Sequence, residues 1–186
     1  MPHSFSENKI LKKGSPTTKL ELKSLVLIKE TFVDWVYLIG GVTFVIGSIF
    51  FLPKMETYGD TGAWIFIFGS LMYLAVTGYE LTMSIKLIRK NKVNTVWAHL
   101  EFSSTLIYLI GAASYLFASI LFLSEINQVF EGAISFIIGS LLFLVGASIN
   151  VIEITNASST ESLQLMNGAA IMYISGSLLF LVASIP

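Results

Sequence analysis

Charged side chains divide the chain into long windows that contain none of them. About 20 helical residues cross a hydrocarbon layer of roughly 30 Å, so each window is long enough to form a transmembrane helix. The alternation in polarity over about ten residues that a transmembrane β-strand requires is missing. The pattern therefore predicts an all-α integral membrane bundle with five transmembrane helices. The five windows are residues 35–53, 61–79, 102–124, 132–152 and 162–186.

The composition supports a membrane protein and excludes several other classes. Hydrophobic residues make up 54% of the 186 residues and charged residues 12%, and the mean hydropathy is +0.78. A water-soluble enzyme, a disordered chain or a nucleic-acid-binding protein needs more polar surface than this. The absence of cysteine excludes disulfides, thiolate metal sites and cysteine catalysis. The expected partner is the lipid bilayer, and no nucleic acid is expected.

The basic residues predict how the helices are oriented. Six lysines precede the first window, within residues 9–29, and four basic residues lie at 86–92 between the second and third windows. Lys54 is the only basic residue between the first two windows. The charged residues between the third and fourth windows are all acidic. Cytoplasmic loops of membrane proteins are enriched in lysine and arginine. We therefore expect a multi-pass protein of the inner cell membrane, with a cytoplasmic N-terminus and the C-terminus outside.

The first 34 residues are predicted to form a cytoplasmic tail without a cleaved signal peptide. Thr18 and Glu21 fit a helix-capping box, and residues 20–33 are apolar enough to lie along the inner membrane face as an interfacial helix from residue 18. A mobile tether is the alternative. The tail lysines are expected to contact anionic lipids, because basic segments are attracted to the cytoplasmic leaflet.

An internal repeat organises the rest of the chain. Tyr37-Leu38-Ile39-Gly40 returns as residues 108–111 at an offset of 71, and Gly69-Ser70-Leu71 returns as residues 139–141 at an offset of 70. The first helical hairpin is thus duplicated, and the fifth window is a further half unit. The predicted segments are a tail at 1–34, a hairpin at 35–90, a cytoplasmic linker at 91–101, a second hairpin at 102–155, and a loop with the fifth helix at 156–186.

Each window carries two small residues that are seven positions apart, and the second is followed by serine. Seven residues are two helical turns, so both lie on one face, where small side chains let helix backbones approach closely. The serines either bond to a carbonyl one turn earlier or line a polar pore. Such faces also predict packing between copies in a homo-oligomer. The predicted helix-packing residues are Gly40, Gly47, Ser48, Gly62, Gly69, Ser70, Gly111, Ala118, Ser119, Gly132, Gly139, Ser140, Ala169, Gly176 and Ser177.

Polar residues near the inner ends of the windows form a candidate polar site. Glu80 follows the second window, Asn150 is its repeat equivalent in the fourth, and Glu153 lies three residues later. Ionisable groups in lipid are costly and often functional, although anchoring at the interface is the alternative. His99 and Glu101 lie at a similar depth and fit no metal-ligand spacing. We therefore predict no catalytic residue, no metal and no cofactor.

Two segments of the first hairpin resemble a known family. The sequence Gly47-Ser48-Ile49-Phe50-Phe51-Leu52 ends one window, and Gly-Ala-Trp-Ile-Phe-Ile-Phe-Gly-Ser at 62–70 begins the next. This unit resembles the YrhK-like family of small bacterial membrane proteins over residues 36–86. The resemblance is weaker over 107–153, where Ala118 replaces the glycine and Ile134 the tryptophan. Members typically form one two-helix hairpin, so the resemblance implies a duplicated bacterial membrane protein, and it implies no established activity or site.

Two functional hypotheses follow. The uniformly apolar windows favour a non-enzymatic structural or interaction protein that works through helix packing and oligomerisation. The alternative is a small oligomeric channel or transporter, although no window contains the mid-helix proline or ring of charges typical of such proteins.

Overall fold

The computed structural model describes residues 16–91, 96–154, 171, 174–179 and 182, and their regular secondary structure is entirely helical. This agrees with the predicted all-α class. The long helices are α1 (Pro16–Phe50), α2 (Gly59–Asn91), α3 (Val96–Leu121) and α4 (Val129–Ile154), with a 3-10 helix at Pro53–Tyr58 between α1 and α2. Residues 174–179 are also helical, but most of the predicted fifth helix lies outside the described residues.

Within the part of the chain that the structure describes, three helices are long and apolar enough to cross a membrane. The qualifying stretches are Gly59–Lys86 in α2, His99–Leu121 in α3 and Val129–Val151 in α4. The apolar part of α1, Trp35–Phe50, is shorter than such a span. The chain leaves the helix at Phe51 because Pro53 begins the 3-10 helix, and proline is favoured at the first position of a new helical segment.

Two predicted boundaries differ from the structure. The proposed interfacial helix is not separate from the first window, because α1 runs without a break from Pro16 to Phe50. Neither glycine nor proline occurs between residues 17 and 39 to end it. The predicted linker at 91–101 is shorter, since α2 ends at Asn91 and α3 begins at Val96. The difference lies at the second end of the linker, where Glu101 interrupts the apolar window, but glutamate is a good helix former and does not end a helix.

The four long helices share one aromatic core. Helices adjacent in sequence pack against each other, α1 on α2, α2 on α3 and α3 on α4. Rings also join helices that are not adjacent in sequence: Phe44 of α1 lies 5.6 Å from Tyr115 of α3, and Phe66 of α2 lies 5.8 Å from Phe136 of α4, measured between ring centroids. Both pairs meet edge to face, which is the favoured geometry for aromatic rings.

A hydrogen-bonded link joins the two hairpins at one end of the bundle. The backbone N–H of Ser124, in the turn after α3, donates to Asp60 Oδ1 at 2.7 Å, and its hydroxyl donates to Asp60 Oδ2 at 2.5 Å. Asn127 in the same turn has a φ of 51°, in the left-handed region that asparagine tolerates better than most residues. The turn therefore reverses the chain into α4 while it remains attached to the start of α2.

The two halves of the core differ at one hydrogen bond. Ser140 is fully buried, donates to the Phe136 carbonyl at 2.8 Å and lies 2.8 Å from the Tyr115 hydroxyl. Ser70, its repeat equivalent, is also fully buried, but its hydroxyl has no partner. The position equivalent to Tyr115 is Phe44, which lacks the hydroxyl. A buried hydroxyl left without a partner costs about 1–3 kcal/mol.

We expect Phe44→Tyr to stabilise the protein by roughly 1 kcal/mol, because the new hydroxyl can reach Ser70 as Tyr115 reaches Ser140. The reverse change, Tyr115→Phe, should destabilise it by a similar amount. Thermal unfolding of the purified protein in detergent measures both changes. Phe44→Tyr should give no gain in a Ser70→Ala background, and an equal gain in both backgrounds would contradict the proposed bond.

Candidate functional site

Glycines bring the backbones of α1 and α2 into close contact. A Cβ atom built on Gly69 would lie 3.4 Å from the carbonyl oxygen of Gly40. One built on Gly62 would lie 3.1 Å from the carbonyl oxygen of Gly47. Backbone atoms at this separation leave little room for a side chain, so the two predicted glycine pairs face each other across the same interface.

The second hairpin repeats this contact. A Cβ on Gly139 would lie 3.2 Å from the carbonyl oxygen of Gly111, and one on Gly132 would lie 3.2 Å from that of Ala118. Ala118 is the residue that replaces glycine in this half, and it is fully buried. Helices α3 and α4 are therefore held in the same way as α1 and α2.

An aromatic ring from the partner helix or the turn that follows it lies against most of these glycines. A Cβ on Gly40 would come within 2.7 Å of Tyr73, and one on Gly139 within 2.5 Å of Tyr115. The glycines thus provide space for rings as well as for close backbones. The remaining glycine–ring pairs are Gly47 with Phe66, Gly62 with Phe51, Gly69 with Phe44, Gly111 with Phe143, Gly132 with Phe122 and Gly146 with Tyr108.

The serines beside the small residues mostly bond within their own helices. The hydroxyls of Ser48, Ser119 and Ser140 donate to the carbonyl four residues earlier, at 2.7, 2.7 and 2.8 Å. Ser70 has no such partner. Three of these four hydroxyls are thus engaged with helix backbone, as the packing interpretation of the serines predicts.

The predicted residues of the fifth helix are described only in part. Ala169 lies outside the described residues. Ser177 is buried, but no atom lies within 4 Å of a Cβ built on Gly176. Among the described residues, Gly176 therefore has no close helix contact like those of the three glycine pairs and of Ala118 with Gly132.

The polar candidates form a layer that contains one residue from each long helix. The Tyr37 hydroxyl of α1 donates to Glu80 Oε2 of α2 at 2.8 Å. Asn150 Nδ2 of α4 donates to the Tyr108 hydroxyl of α3 at 3.0 Å. Tyr108 and Asn150 are the repeat equivalents of Tyr37 and Glu80. Each hairpin therefore contributes one tyrosine pair, by which we mean a tyrosine and the polar residue hydrogen-bonded to it. We call these four residues the polar layer.

Aromatic rings connect the two halves of the polar layer. The Tyr37 ring lies 5.4 Å from Tyr73, Tyr73 lies 6.4 Å from Phe143, and Phe143 lies 6.0 Å from Tyr108. Both tyrosine pairs are therefore joined through one continuous group of rings. The amide oxygen of Asn150 is buried and has no hydrogen-bond partner.

A second carboxyl group approaches the layer from α3. Ser84 lies one helical turn after Glu80 and donates to Glu101 Oε1 at 3.2 Å. Ser84 is 3% exposed and Glu80 is 8% exposed, so both lie inside the bundle. His99 is exposed on α3, and the side chain of Glu153 lies outside the described ones. The layer therefore combines Glu80 and Asn150 as predicted, with Glu101 near it.

The side chains of the polar layer can donate and accept hydrogen bonds and can ligate through oxygen. Within the described part of the chain, no group of three or more His, Cys, Asp or Glu side chains could hold a metal ion. The polarity pattern predicts Glu80 and Asn150 as polar-site residues but no role for Tyr37 or Tyr108. The signal was present, because these tyrosines begin the two repeated Tyr-Leu-Ile-Gly segments.

We expect Gly139→Ala to destabilise the bundle by about 1–3 kcal/mol, the range typical of overpacking. The added methyl group would press on both the Tyr115 ring and the rigid Gly111 carbonyl. Gly139→Leu should be worse. Gly59→Ala is the matched control, because nothing lies within 4 Å of its Cβ position. Thermal unfolding in detergent compares the variants, and equal stability of Gly139→Ala and Gly59→Ala would contradict the close contact.

Comparison with known proteins agrees with the internal repeat. The model of the YrhK-like protein family matches residues 29–85 and again residues 98–154, which together exceed half of the chain. Neither a curated protein nor a solved structure matches the chain. Each matched segment contains one hairpin and one tyrosine pair of the polar layer. The chain therefore belongs to the YrhK-like family and carries the family unit twice.

Proposed function

We propose that this protein is a non-enzymatic, multi-pass component of the bacterial inner membrane that acts through helix packing. In this proposal five helices cross the bilayer, with the N-terminus in the cytoplasm and the C-terminus outside. The three long apolar helices support the membrane setting. The distribution of lysine and arginine supports the orientation, because ten of the 11 basic residues then lie on the cytoplasmic side.

The first helix can cross the bilayer although its apolar part is short. Helix α1 continues for many residues before Trp35, and residues 25–28 and 31–33 of that extension carry no charge. Lysine and glutamate side chains near a helix end can extend toward the interface while their methylene groups stay in lipid. In this proposal the charged positions 29 and 30 of the sequence lie at the inner interface, so α1 would reach both membrane faces.

One observation carries the packing role. The glycine–aromatic contacts use the inward faces of the described helices, and large apolar side chains remain exposed on every outward face. Val45 of α1 is 67% exposed, Trp64 of α2 61% and Phe117 of α3 57%. A surface of this kind on all sides is suited to lipid or to other membrane helices, including further copies of the chain.

The lysine-rich tail is proposed to bind the inner membrane surface. Its six lysines would face the anionic inner leaflet, where each basic residue contributes about 1 kcal/mol of attraction. The tail would therefore hold the protein against the cytoplasmic surface, while the exposed helix faces contact other copies in a homo-oligomer.

The orientation can be tested by labelling single cysteines, and the cysteine-free sequence gives a clean background. A membrane-impermeant thiol reagent added to intact cells should label Gly59→Cys. Asn91→Cys should react only after the inner face is opened, because residue 91 then lies in the cytoplasm. The reverse pattern would contradict the orientation.

Reconstitution distinguishes packing from transport. The polar layer is the observation that favours a channel or transporter, since it places a carboxyl group inside the bundle. We expect liposomes that contain the protein to be no more permeable to ions than protein-free liposomes. Reproducible ion flux that Glu80→Ala abolishes, but Glu131→Gln at the exposed start of α4 does not, would favour the transport function instead.

A further inference from the structure

One side of α1 alternates between large and small residues and has no helix packed on it among the described residues. Leu38, Gly41, Val45 and Ser48 follow one another at intervals of three, four and three positions, so they lie on one side of the helix. Val45 is 67% exposed, and Leu38 and Ser48 are also exposed. We call these four residues the α1 face. It is separate from the side of α1 whose glycines contact α2.

The repeat equivalent of the α1 face is a helix interface within the chain. At the offset of 71, its residues become Leu109, Ala112, Leu116 and Ser119 of α3, with the same alternation of large and small side chains. Ala112 and Ser119 are fully buried, and a Cβ atom built on Gly78 of α2 would lie 3.9 Å from Leu109 Cδ1. In the second hairpin this side of the helix therefore packs against another helix.

Comparison of two equivalent serines shows what the α1 face lacks. The hydroxyls of Ser48 and Ser119 both donate to the carbonyl four residues earlier, at 2.7 Å. Ser119 is nevertheless fully buried, whereas Ser48 is exposed. The residue pattern and the local hydrogen bonding of a packed side are thus present on α1, and the covering helix is missing from the described part of the chain.

A second copy of the chain can supply the covering helix. Copies inserted in the same orientation are related by a two-fold axis along the membrane normal, so their first helices run parallel and equivalent residues meet. Residues 35–53 carry no charge that would repel the same charge on the other copy. The spacing of alternately three and four residues is the heptad repeat of parallel helices that cross at a shallow left-handed angle. The Ser48 hydroxyl is already bonded within α1, so no unpaired side-chain donor would be buried.

We propose that α1 pairs with α1 of a second copy through the α1 face. Gly41 and Ser48 lie two helical turns apart and let the two backbones approach closely. Leu38 and Val45 of the two copies pack against each other beside these points. The inference rests on the proposed homo-oligomer and adds which helix forms its contact.

Disulfide cross-linking of single cysteines in membranes tests the proposal, because the sequence contains no other cysteine. A disulfide joins two chains only where the two Cα atoms come within about 7 Å of each other. Oxidation with copper phenanthroline should link Val45→Cys into a covalent dimer, and Leu38→Cys should behave in the same way. Ile46→Cys is the control, because this position is also exposed and lies at the same depth but points about 100° away from Val45. It should cross-link several-fold less.

A bulky substitution separates the contact between copies from the fold of one chain. Ser48→Leu should lower the dimer fraction several-fold in sedimentation equilibrium in detergent, because the larger side chain holds the two backbones apart. Its thermal unfolding at a dilution where the chain is monomeric should be unchanged, since position 48 is exposed within one chain. Ser148→Leu is the matched control and should leave the dimer fraction unchanged. Ser148 is exposed on α4 and likewise donates to the carbonyl four residues earlier.

Several outcomes would overturn the proposal. One is equal cross-linking of Val45→Cys, Ile46→Cys and Phe117→Cys, an exposed position on α3, since this would indicate random collision. Another is a dimer fraction that Ser48→Leu and Ser148→Leu affect equally. Cross-linking of Phe117→Cys alone would overturn the α1 contact but leave the proposed homo-oligomer in place. A chain that sediments as a monomer and cross-links at none of these positions would overturn both.

Discussion

The whole bundle depends on how closely its helix backbones approach at a few glycines. Where Gly139 meets Gly111, a single methyl group would reach both a backbone carbonyl and the Tyr115 ring. In lipid there is no hydrophobic driving force between helices, so close van der Waals contact has to supply the attraction. Each of these glycines contributes two such contacts, because it brings two backbones together and leaves a recess that an aromatic ring fills.

The duplication shows which features of the family unit the fold requires and which have diverged. Both hairpins keep the pairs of small residues, with Ala118 in place of one glycine in the second, and both keep the tyrosine of the polar layer. The first hairpin has Phe44 where the second has Tyr115, which leaves the Ser70 hydroxyl without a partner. The first hairpin also has Glu80 where the second has Asn150. The first difference concerns stability, while the second introduces a charge. Comparing the two halves therefore separates packing from chemistry within one chain.

Much of the fold could be predicted from the sequence, because the repeat offsets and the spacing of small residues are properties of one helix at a time. The 71-residue offset paired Tyr37 with Tyr108 before any contact was known. The rings that fill the glycine recesses could not be predicted, since they depend on distances between helices. The linker was predicted too long for a different reason: Glu101 interrupts the apolar window, but glutamate is compatible with a helix and α3 already begins at Val96.

The length of α1 has a mechanical consequence. Residues 16–34 precede its apolar part and continue the same helix, which makes an arm of about 30 Å at 1.5 Å per residue. A continuous helix bends little, so a force applied near Pro16 acts as a torque on the rest of α1. The first described contacts of α1 with α2 along this direction are those of Tyr37 with Glu80 and Tyr73, followed by that of Gly40 with Tyr73, so a small rotation there alters the fit of the Tyr73 ring. Whatever engages the arm is thereby coupled to the interior of the bundle.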